Sequence, residues 1–455
     1  MRIIIGGAGE VGFHLAKLLS NEMNDIVIID MDKDKLAIIE NSLDVMAFRG
    51  DVTSFKSLRE AGVDDADMFI SVTHLQNTNI TSASIAKDLG AKRTLARISN
   101  PEFLHKENQF WFQKMGIDAL ISPEKLAADE IYSLVQQSAF NTMHPFAGGQ
   151  LYLVGTTLDE DCKILDKQYK DMYLTTKGGD ENLFTPIAIM RSNERGEYKT
   201  IIPEPDTDFR INDHVYFIVK KAGILEIYKI LGKKQEYFKN VIILGGGSIG
   251  VKTSKLLKEN KHNIKLIEID RNKAFDLADE FNNILIINGD GRDGELLLEE
   301  GISDSDAFIA VTGSSETNIM SCLLAKSKGV KKTIALVENI DYIHLSQEVG
   351  INALINKKLL TADSIFRYIR QGSVMNVTGI SDLDAEVLEF RIHENSTIAH
   401  KQVSDFPFEE DAAIAGIVRK NDGFIPTKDF IILPNDHVVV FSQANLISKV
   451  TKYFK

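Results

Sequence analysis

The 455-residue sequence predicts an α/β protein built twice over: two doubly wound parallel-sheet units, each followed by a small α+β unit. Three observations carry that prediction. Short β-branched runs alternate with helix-patterned segments, as right-handed βαβ units require. A glycine-rich strand–turn–helix opens the chain and returns past its middle. The sequence also matches itself over most of its length, and self-similarity at a fixed offset marks duplicated architecture.

In the first unit the runs Arg2–Ile5, Ile26–Ile29, Val45–Phe48, Phe69–Val72, Leu95–Ile98 and Ala119–Ile121 read as strands. Runs such as IVII suit a sheet covered on both faces. Between the first two, FHLAKLLS carries apolar residues at helical spacing. After the sixth strand, PEKLAADEIYSLVQQ begins a helix with Pro123 in its first turn and Ser122 as cap. Its apolar residues Leu126, Ile131, Leu134 and Val135 form one stripe, which packs either on its own unit or, as a crossover helix, on a neighbouring one. NKKLLTADSIFRYIRQ from Asn356 is its partner in the second half, whose strands run from Val241 to Ile355. The two smaller units, about Phe146 to Val219 and Val377 to Phe441, show alternating strands (LYLVGT, PIAIMRS, HVYFIV) and Asn-Asp turns. They carry no nucleophile, metal cluster or glycine loop, so they read as regulatory or assembly modules. The expected domains are 1–122, 143–231, 238–356 and 374–455.

The duplication is collinear. RIIIGGAGEVG matches VIILGGGSIG, with Gly12 and Gly250 238 apart. FRGD ending at Asp51 matches INGD ending at Asp290, and ISVTHLQNTNI matches IAVTGSSETNI, both at 239. Asn100, Phe103 and His105 match Asn339, Tyr342 and His344 at the same offset. GIDALIS from Gly116 matches GINALIN from Gly350 at 234, so the first copy holds five extra residues near KENQFWFQ, including the only Trp, Trp111. More weakly, PEPDTDFRINDHVYFIV matches PTKDFIILPNDHVVVFS, with Asp213 and Asp436 223 apart.

Composition removes several classes. Lys and Arg number 52 against 65 Asp and Glu, a net charge of −13. Nucleic-acid binding and adsorption to anionic lipid both need positive surface. The two cysteines, Cys162 and Cys322, make neither a disulfide framework nor a metal site. No stretch reads as a membrane span; the uncharged segment 68–86 is full of Thr, Ser, Asn and Gln. The N-terminus lacks a signal-peptide layout, so a soluble, cytoplasmic protein is expected.

Gly7-x-Gly9-x-x-Gly12 follows a strand and opens a helix. In a Rossmann-like unit the first glycine permits the tight turn, the second lets a pyrophosphate approach the backbone, and the third lets helix and strand pack closely. The helix N-terminus then presents free N–H groups to phosphate. Gly7, Ala8, Gly9, Glu10 and Val11 therefore form the first candidate phosphate loop; Gly245, Gly246, Gly247, Ser248 and Ile249 form the second. Asp30 and Glu268 each stand 18 residues after the third glycine, where a carboxylate accepts both ribose hydroxyls. Like-charge repulsion disfavours NADP there. NAD(H) and ATP or ADP stay equally open.

Later strand ends add secondary candidates. Asp51 and Asp290 border the adenine or are turn carboxylates; Thr73 and Thr312 touch ribose or phosphate, or cap a helix. Arg97 is placed to pair with phosphate. Its counterpart is Leu336, and Arg292 replaces Thr53, so the two sites are expected to differ. Nothing reads as catalytic. There is no Walker loop, GxSxG or HExxH. His105/His344 and His214/His437 are matched between repeats, as packing or turn residues would be. A soluble NAD-dependent oxidoreductase remains the competing class.

GGAGEVG with Asp30, GDVTS, VTHLQNTNI, ARISNPEF and PEPDTDFRINDHVYF together resemble an RCK domain, a regulator of potassium conductance. Two such domains in one chain resemble the cytosolic regulatory subunits of bacterial Trk potassium uptake systems. The resemblance implies a non-catalytic nucleotide sensor for NAD(H) or ATP/ADP. It implies a homotetrameric ring on the inner face of the membrane, attached to a TrkH/TrkG-like potassium transporter subunit; the ring of a potassium channel or antiporter is the variant reading. By motif match it places binding on Gly7 to Val11, Asp30, Asp51, Thr73 and Arg97, and on Gly245 to Ile249, Glu268, Asp290 and Thr312.

Overall fold

The computed structural model describes residues 1–20, 24–136, 139–171, 182–192, 198–339, 350–370, 375–380, 385–408, 411–443 and 446–454. Tyr342 and His344 lie outside them. The first unit is a six-stranded parallel sheet: β1 (Arg2–Gly6), β2 (Asp25–Asp30), β3 (Met46–Arg49), β4 (Met68–Ser71), β5 (Arg93–Arg97) and β6 (Ala119–Ile121), in spatial order 3-2-1-4-5-6. The order reverses direction between β1 and β4, the switch point where open α/β sheets bind ligands. Its helices are α1 (Glu10–Ser20), α2 (Lys33–Ser42), α3 (Phe55–Glu60), α4 (Gln76–Leu89), α5 (Lys106–Lys114) and α6 (Pro123–Gln136). Strand periodicity sorts the core into two layers. Ile3, Ile5, Ile28 and Ile70 face α1, while Ile4, Val27, Ile29 and Phe69 pack with Leu58, Ala83 and Ala86 on the opposite face.

The second unit is a five-stranded antiparallel sheet of β7 (Thr142–Phe146), β8 (Leu151–Thr157), β9 (Phe184–Ser192), β10 (Tyr198–Ile201) and β11 (His214–Lys220), followed by α7 (Ile224–Ile230). The third repeats the first: β12 (Asn240–Leu244), β13 (Asn263–Glu268), β14 (Leu285–Asn288), β15 (Ala307–Ala310), β16 (Lys332–Leu336) and β17 (Ala353–Ile355) take the same spatial order. Its helices are α8 (Ser248–Glu259), α9 (Arg271–Glu280), α10 (Gly294–Glu299), α11 (Ser315–Ser327) and α12 (Lys357–Arg370). The fourth holds β18 (Asn376–Ile380), β19 (Ala385–Arg391), β20 (Ala412–Arg419), β21 (Asp422–Phe424), β22 (His437–Gln443) and α13 (Ile447–Phe454). Both antiparallel sheets place their fifth strand between the second and the third.

The amphipathic helices cross over. Ser122 accepts at its Oγ from the Lys125 N–H and so caps α6. Ala127, Ile131, Leu134 and Val135 of α6 are buried with Val241, Ile243, Ile249 and Leu257 of the third unit. Ala362, Ile365, Phe366 and Ile369 of α12 return the exchange, packing with Val11, Leu15 and Leu19 of the first. Of the predicted stripe, Leu126 alone departs, lying partly buried against the cluster that α12 shares with the first unit. Burying three or four large apolar side chains contributes roughly 5–10 kcal/mol in each direction before entropy. The antiparallel units also pack face to face: Phe146, Leu153 and Ile218 share a core with Val387, Val439 and Phe441. Glu389 ties them together, accepting from the Ala147 N–H at 2.9 Å and pairing with His437 Nδ1 at 2.6 Å. Both cysteines are free and buried, and burial pushes the Cys162 thiol up to about 11. No described helix is long and apolar enough to cross a membrane.

Candidate nucleotide sites

Each glycine of the first loop has a separate geometric job. Gly7 has φ of +115°, a conformation side chains disfavour. A Cβ on Gly12 would lie 2.0 Å from the Gly7 carbonyl oxygen, so only glycine lets α1 start that close to β1. A Cβ on Gly9 would meet nothing within 4 Å; it would project into open space. Gly245, Gly250 and Gly247 repeat all three: φ of +106°, a Cβ 1.9 Å from the Gly245 oxygen, and open space.

The open space at Gly9 belongs to a cleft of about 490 Å³ at the carboxyl ends of the strands. Gly7, Gly9, Glu10, Val11, Asp30, Asp51, Thr73 and Arg97 all line it. Ala8 does not; it is buried and gives its N–H to Asp30 Oδ2 at 2.6 Å. Asp30 Oδ1 accepts from the Asp32 N–H at 2.9 Å. Each carboxylate oxygen still has a lone pair for a ribose hydroxyl, so the carboxylate is aimed before any ligand arrives. Asp51 Oδ1 takes the Thr53 N–H and hydroxyl, both at 2.8 Å, so it is a turn carboxylate that also borders the cleft. No described side chain pairs with the Arg97 guanidinium, which leaves it available to an anion. This cleft has a backbone-held carboxylate at one end and a helix N-terminus at the other.

Thr73 does not cap α4. Its hydroxyl donates to Asn79 Oδ1 at 2.6 Å. Buried Asn79 also accepts from Ser71 Oγ and the Thr73 N–H, and donates to the carbonyls of Thr73 and Arg97. It thereby locks two strand ends of the cleft together. Asn318 repeats this with Thr312 and the Leu336 carbonyl. Both lie inside the repeated TN pair of ISVTHLQNTNI and IAVTGSSETNI. The repetition was visible; an uncharged amide simply carried no chemical signal.

The second site departs from the first around its carboxylates. Glu268 accepts from the Gly246 N–H at 2.9 Å and the Asp270 N–H at 3.0 Å, but Lys273 also pairs with it at 3.0 Å. Burial acts to raise the Glu268 pKa, and the Asp270 N–H and the Lys273 ammonium outweigh it, holding the carboxyl below its ordinary value. Arg292 grips Asp290, with its NH2 group 2.7 Å from Oδ2, which likewise holds that carboxyl down. Ser248 opens α8 and Ile249 is buried beneath it.

Sequence reading did not select Lys357 and Lys358. They open α12, in the other repeat, and both line the first cleft. Lys358 Nζ pairs with Glu10 Oε2 at 2.7 Å and with Glu338 Oε2 at 3.5 Å, and Lys357 Nζ with Glu338 Oε1 at 3.0 Å. Only the crossing of α12 brings them there.

Two Rossmann-like sheets, each followed by an antiparallel unit and joined by exchanged helices, define a tandem RCK protein. The TrkA-N domain model matches residues 3–123 and 241–357, and the TrkA-C domain model matches 387–455. A Trk system potassium uptake protein TrkA homolog of Methanosarcina mazei is 32% identical over 463 residues, covering all of both chains. The chain belongs to the TrkA family. Among solved structures, the GsuK RCK domain aligns with a TM-score of 0.59 at 14% identity, covering 99% of this chain and 94% of its own. A GsuK channel bound to NAD aligns at 0.58 and 14%, covering 99% and 78%. At that identity the likeness establishes the fold.

Proposed function

We propose that this chain is a non-catalytic regulatory subunit that senses NAD(H) or ATP/ADP and gates a separate membrane potassium transporter of the Trk type. The two Rossmann-like domains (1–122 and 238–356) take the nucleotide, and the domains at 143–231 and 374–455 serve assembly. In each copy the glycine loop cradles phosphate, Asp30 or Glu268 holds the ribose, and Asp51 or Asp290 borders the base. Thr73, Thr312 and Arg97 complete the contacts. The subunit sits on the cytoplasmic face as a homotetrameric ring against a TrkH/TrkG-like partner. Its relatives' name, and the NAD named with the GsuK channel, support this reading.

One observation carries it: the first cleft is lined at once by its own glycine loop and by the crossover helix of the other repeat. A ligand there touches two bodies, so a movement of one against the other changes its contacts, and a population shift requires that its affinity differ between the two states. A coupling of about 1–3 kcal/mol per site would suffice to bias the transporter. Calorimetry of the full chain with NADH, NAD, ATP and ADP, with Asp30→Ala and Glu268→Ala separately and together, tests the sites. Loss of affinity by about tenfold or more per variant is expected, together with altered potassium uptake in cells. Unchanged affinity in the double variant, or steady-state turnover of NADH, would refute the reading.

A further inference from the structure

We infer that the first cleft is a composite site whose phosphate end is read by Lys357 and Lys358 of the second repeat, so that it selects nucleotides with at least two phosphates, a preference the second site does not share. The inference rests on the nucleotide reading above and adds which part of the ligand is recognised, and by what.

Both lysines line the cleft, and Lys358 pairs with Glu10, at the end where the glycine loop receives phosphate. They stand at the start of α12, whose own N–H groups are capped by Asn356 Oδ1. Their ammonium groups are held by carboxylates, Lys358 by Glu10 and both by Glu338. Lys358 is only 20% exposed, whereas its partner Glu10 is 58% exposed. The cation is thus fixed by its packed stem and the anion is the movable member. A phosphate entering beside Gly9 meets an ordered ammonium, and Glu10 can leave for water with little loss, because an exposed ion pair is weak. A phosphate oxygen replaces the carboxylate oxygen as acceptor, and α12 need not be rebuilt.

The repeat supplies the contrast. At the 234-residue offset, Lys357 and Lys358 correspond to Pro123 and Glu124; at the 238-residue offset of the glycine loops, Ser248 stands for Glu10 and Lys252 for His14. Lys358 lies within electrostatic reach of His14 on α1, and Glu124 within reach of Lys252 on α8, so the two helix starts occupy equivalent places. The crossover helix therefore brings two ammonium groups to the first glycine loop, and to the second it brings Glu124 and Lys125, of opposite sign, beside Lys252. Phosphate charge is favoured more strongly at the first than at the second.

The signs of two substitutions are opposite and both are required. Full-length chain is photolabelled with 8-azidoadenosine mono- and diphosphate, and the label is mapped to the first or the second Rossmann-like unit. In the wild type, first-unit labelling should half-saturate with the diphosphate at a concentration about tenfold or more below that for the monophosphate. Lys357→Gln with Lys358→Gln should collapse that ratio towards one while monophosphate labelling persists. Glu10→Gln, which removes the competing anion, should improve diphosphate binding by about threefold or more. Second-unit ratios should not move. A diphosphate preference that survives the double lysine variant, or a Glu10→Gln chain that binds diphosphate less well, overturns the inference alone. Absence of label from both units of the wild type overturns the nucleotide reading as well.

Discussion

At the scale of single residues, the glycine loop separates structure from binding more cleanly than any other part of the molecule. Gly9 and Gly12 are three positions apart in one motif, yet a methyl group at one meets empty cleft and at the other meets a carbonyl oxygen at 2.0 Å. Gly12→Ala should cost about 3 kcal/mol or more in denaturant unfolding, since backbone rather than a flexible side chain must yield. Gly9→Val should leave stability within about 0.5 kcal/mol, because no atom lies in the way. It should weaken nucleotide binding at the first site about tenfold or more by occupying the approach to the backbone. A Gly9→Val chain that unfolds early, or that binds normally, would contradict the division of labour. The residues legible in advance were those whose chemistry is local. Glycine spacing, a carboxylate 18 residues on and an arginine at a strand end all announce a cleft. Asn79 escaped because its role is five hydrogen bonds that exist only in the fold, and Lys357 and Lys358 because they belong to the other repeat.

At the scale of elements, the strands are readable because continuous β-branched runs report burial on both faces of a sheet, and the six runs of the first unit are all strands whose ends move by at most two residues. The crossover helices were readable as helices and not as crossovers. An amphipathic stripe states that a face is covered without naming the cover. What fixes the destination includes a pair of long-range clamps. Arg93 at the start of β5 donates from its NH2 group to the Ile369 carbonyl at 3.1 Å, and Lys332 at the start of β16 donates from Nζ to the Phe140 carbonyl. Arg93 of the first repeat thus holds the far end of α12, and Lys332 of the second holds the chain at Phe140, four residues beyond the end of α6. Lys332 is 1% exposed, and burial lowers its pKa from 10.5 to about 7. In that interval the unfolded chain carries more protons than the folded one, so stability rises with pH from about 7 to 10.5. Below that window the penalty for a buried ammonium is present in full. Lys332→Met removes the titration and also leaves the Phe140 carbonyl unpaired, a cost that does not depend on pH. The melting temperature of the variant minus that of the wild type should therefore be most favourable near pH 6 and decline steadily towards pH 9. A difference that stays flat across that range would show that the amine does not titrate there.

At the scale of the whole molecule, the duplication and the exchange of helices together make each half incomplete. The first half sends α6 onto α8 and receives α12 onto α1, so residues 1–231 alone would expose both an apolar helix face and the groove that such a face fits. Because α1 and α8 are repeat equivalents, a second copy of the same half presents the missing partners: α6 of each can lie on α1 of the other. The operation is its own inverse, so it closes as a two-fold dimer and leaves no open edge for further growth. The antiparallel units would reinforce it, since Phe146, Leu153 and Ile218 lose Val387, Val439 and Phe441 and regain an equivalent sheet. The 1–231 fragment should accordingly sediment as a dimer whose unfolding midpoint rises with protein concentration, because the exchange of helices that is intramolecular in the full chain is intermolecular in the fragment. A fragment that is monomeric and stable over the same concentrations would mean that each half buries its own core. In that case the crossover would be an incidental contact, and occupancy of one cleft would have no mechanical route to the other repeat.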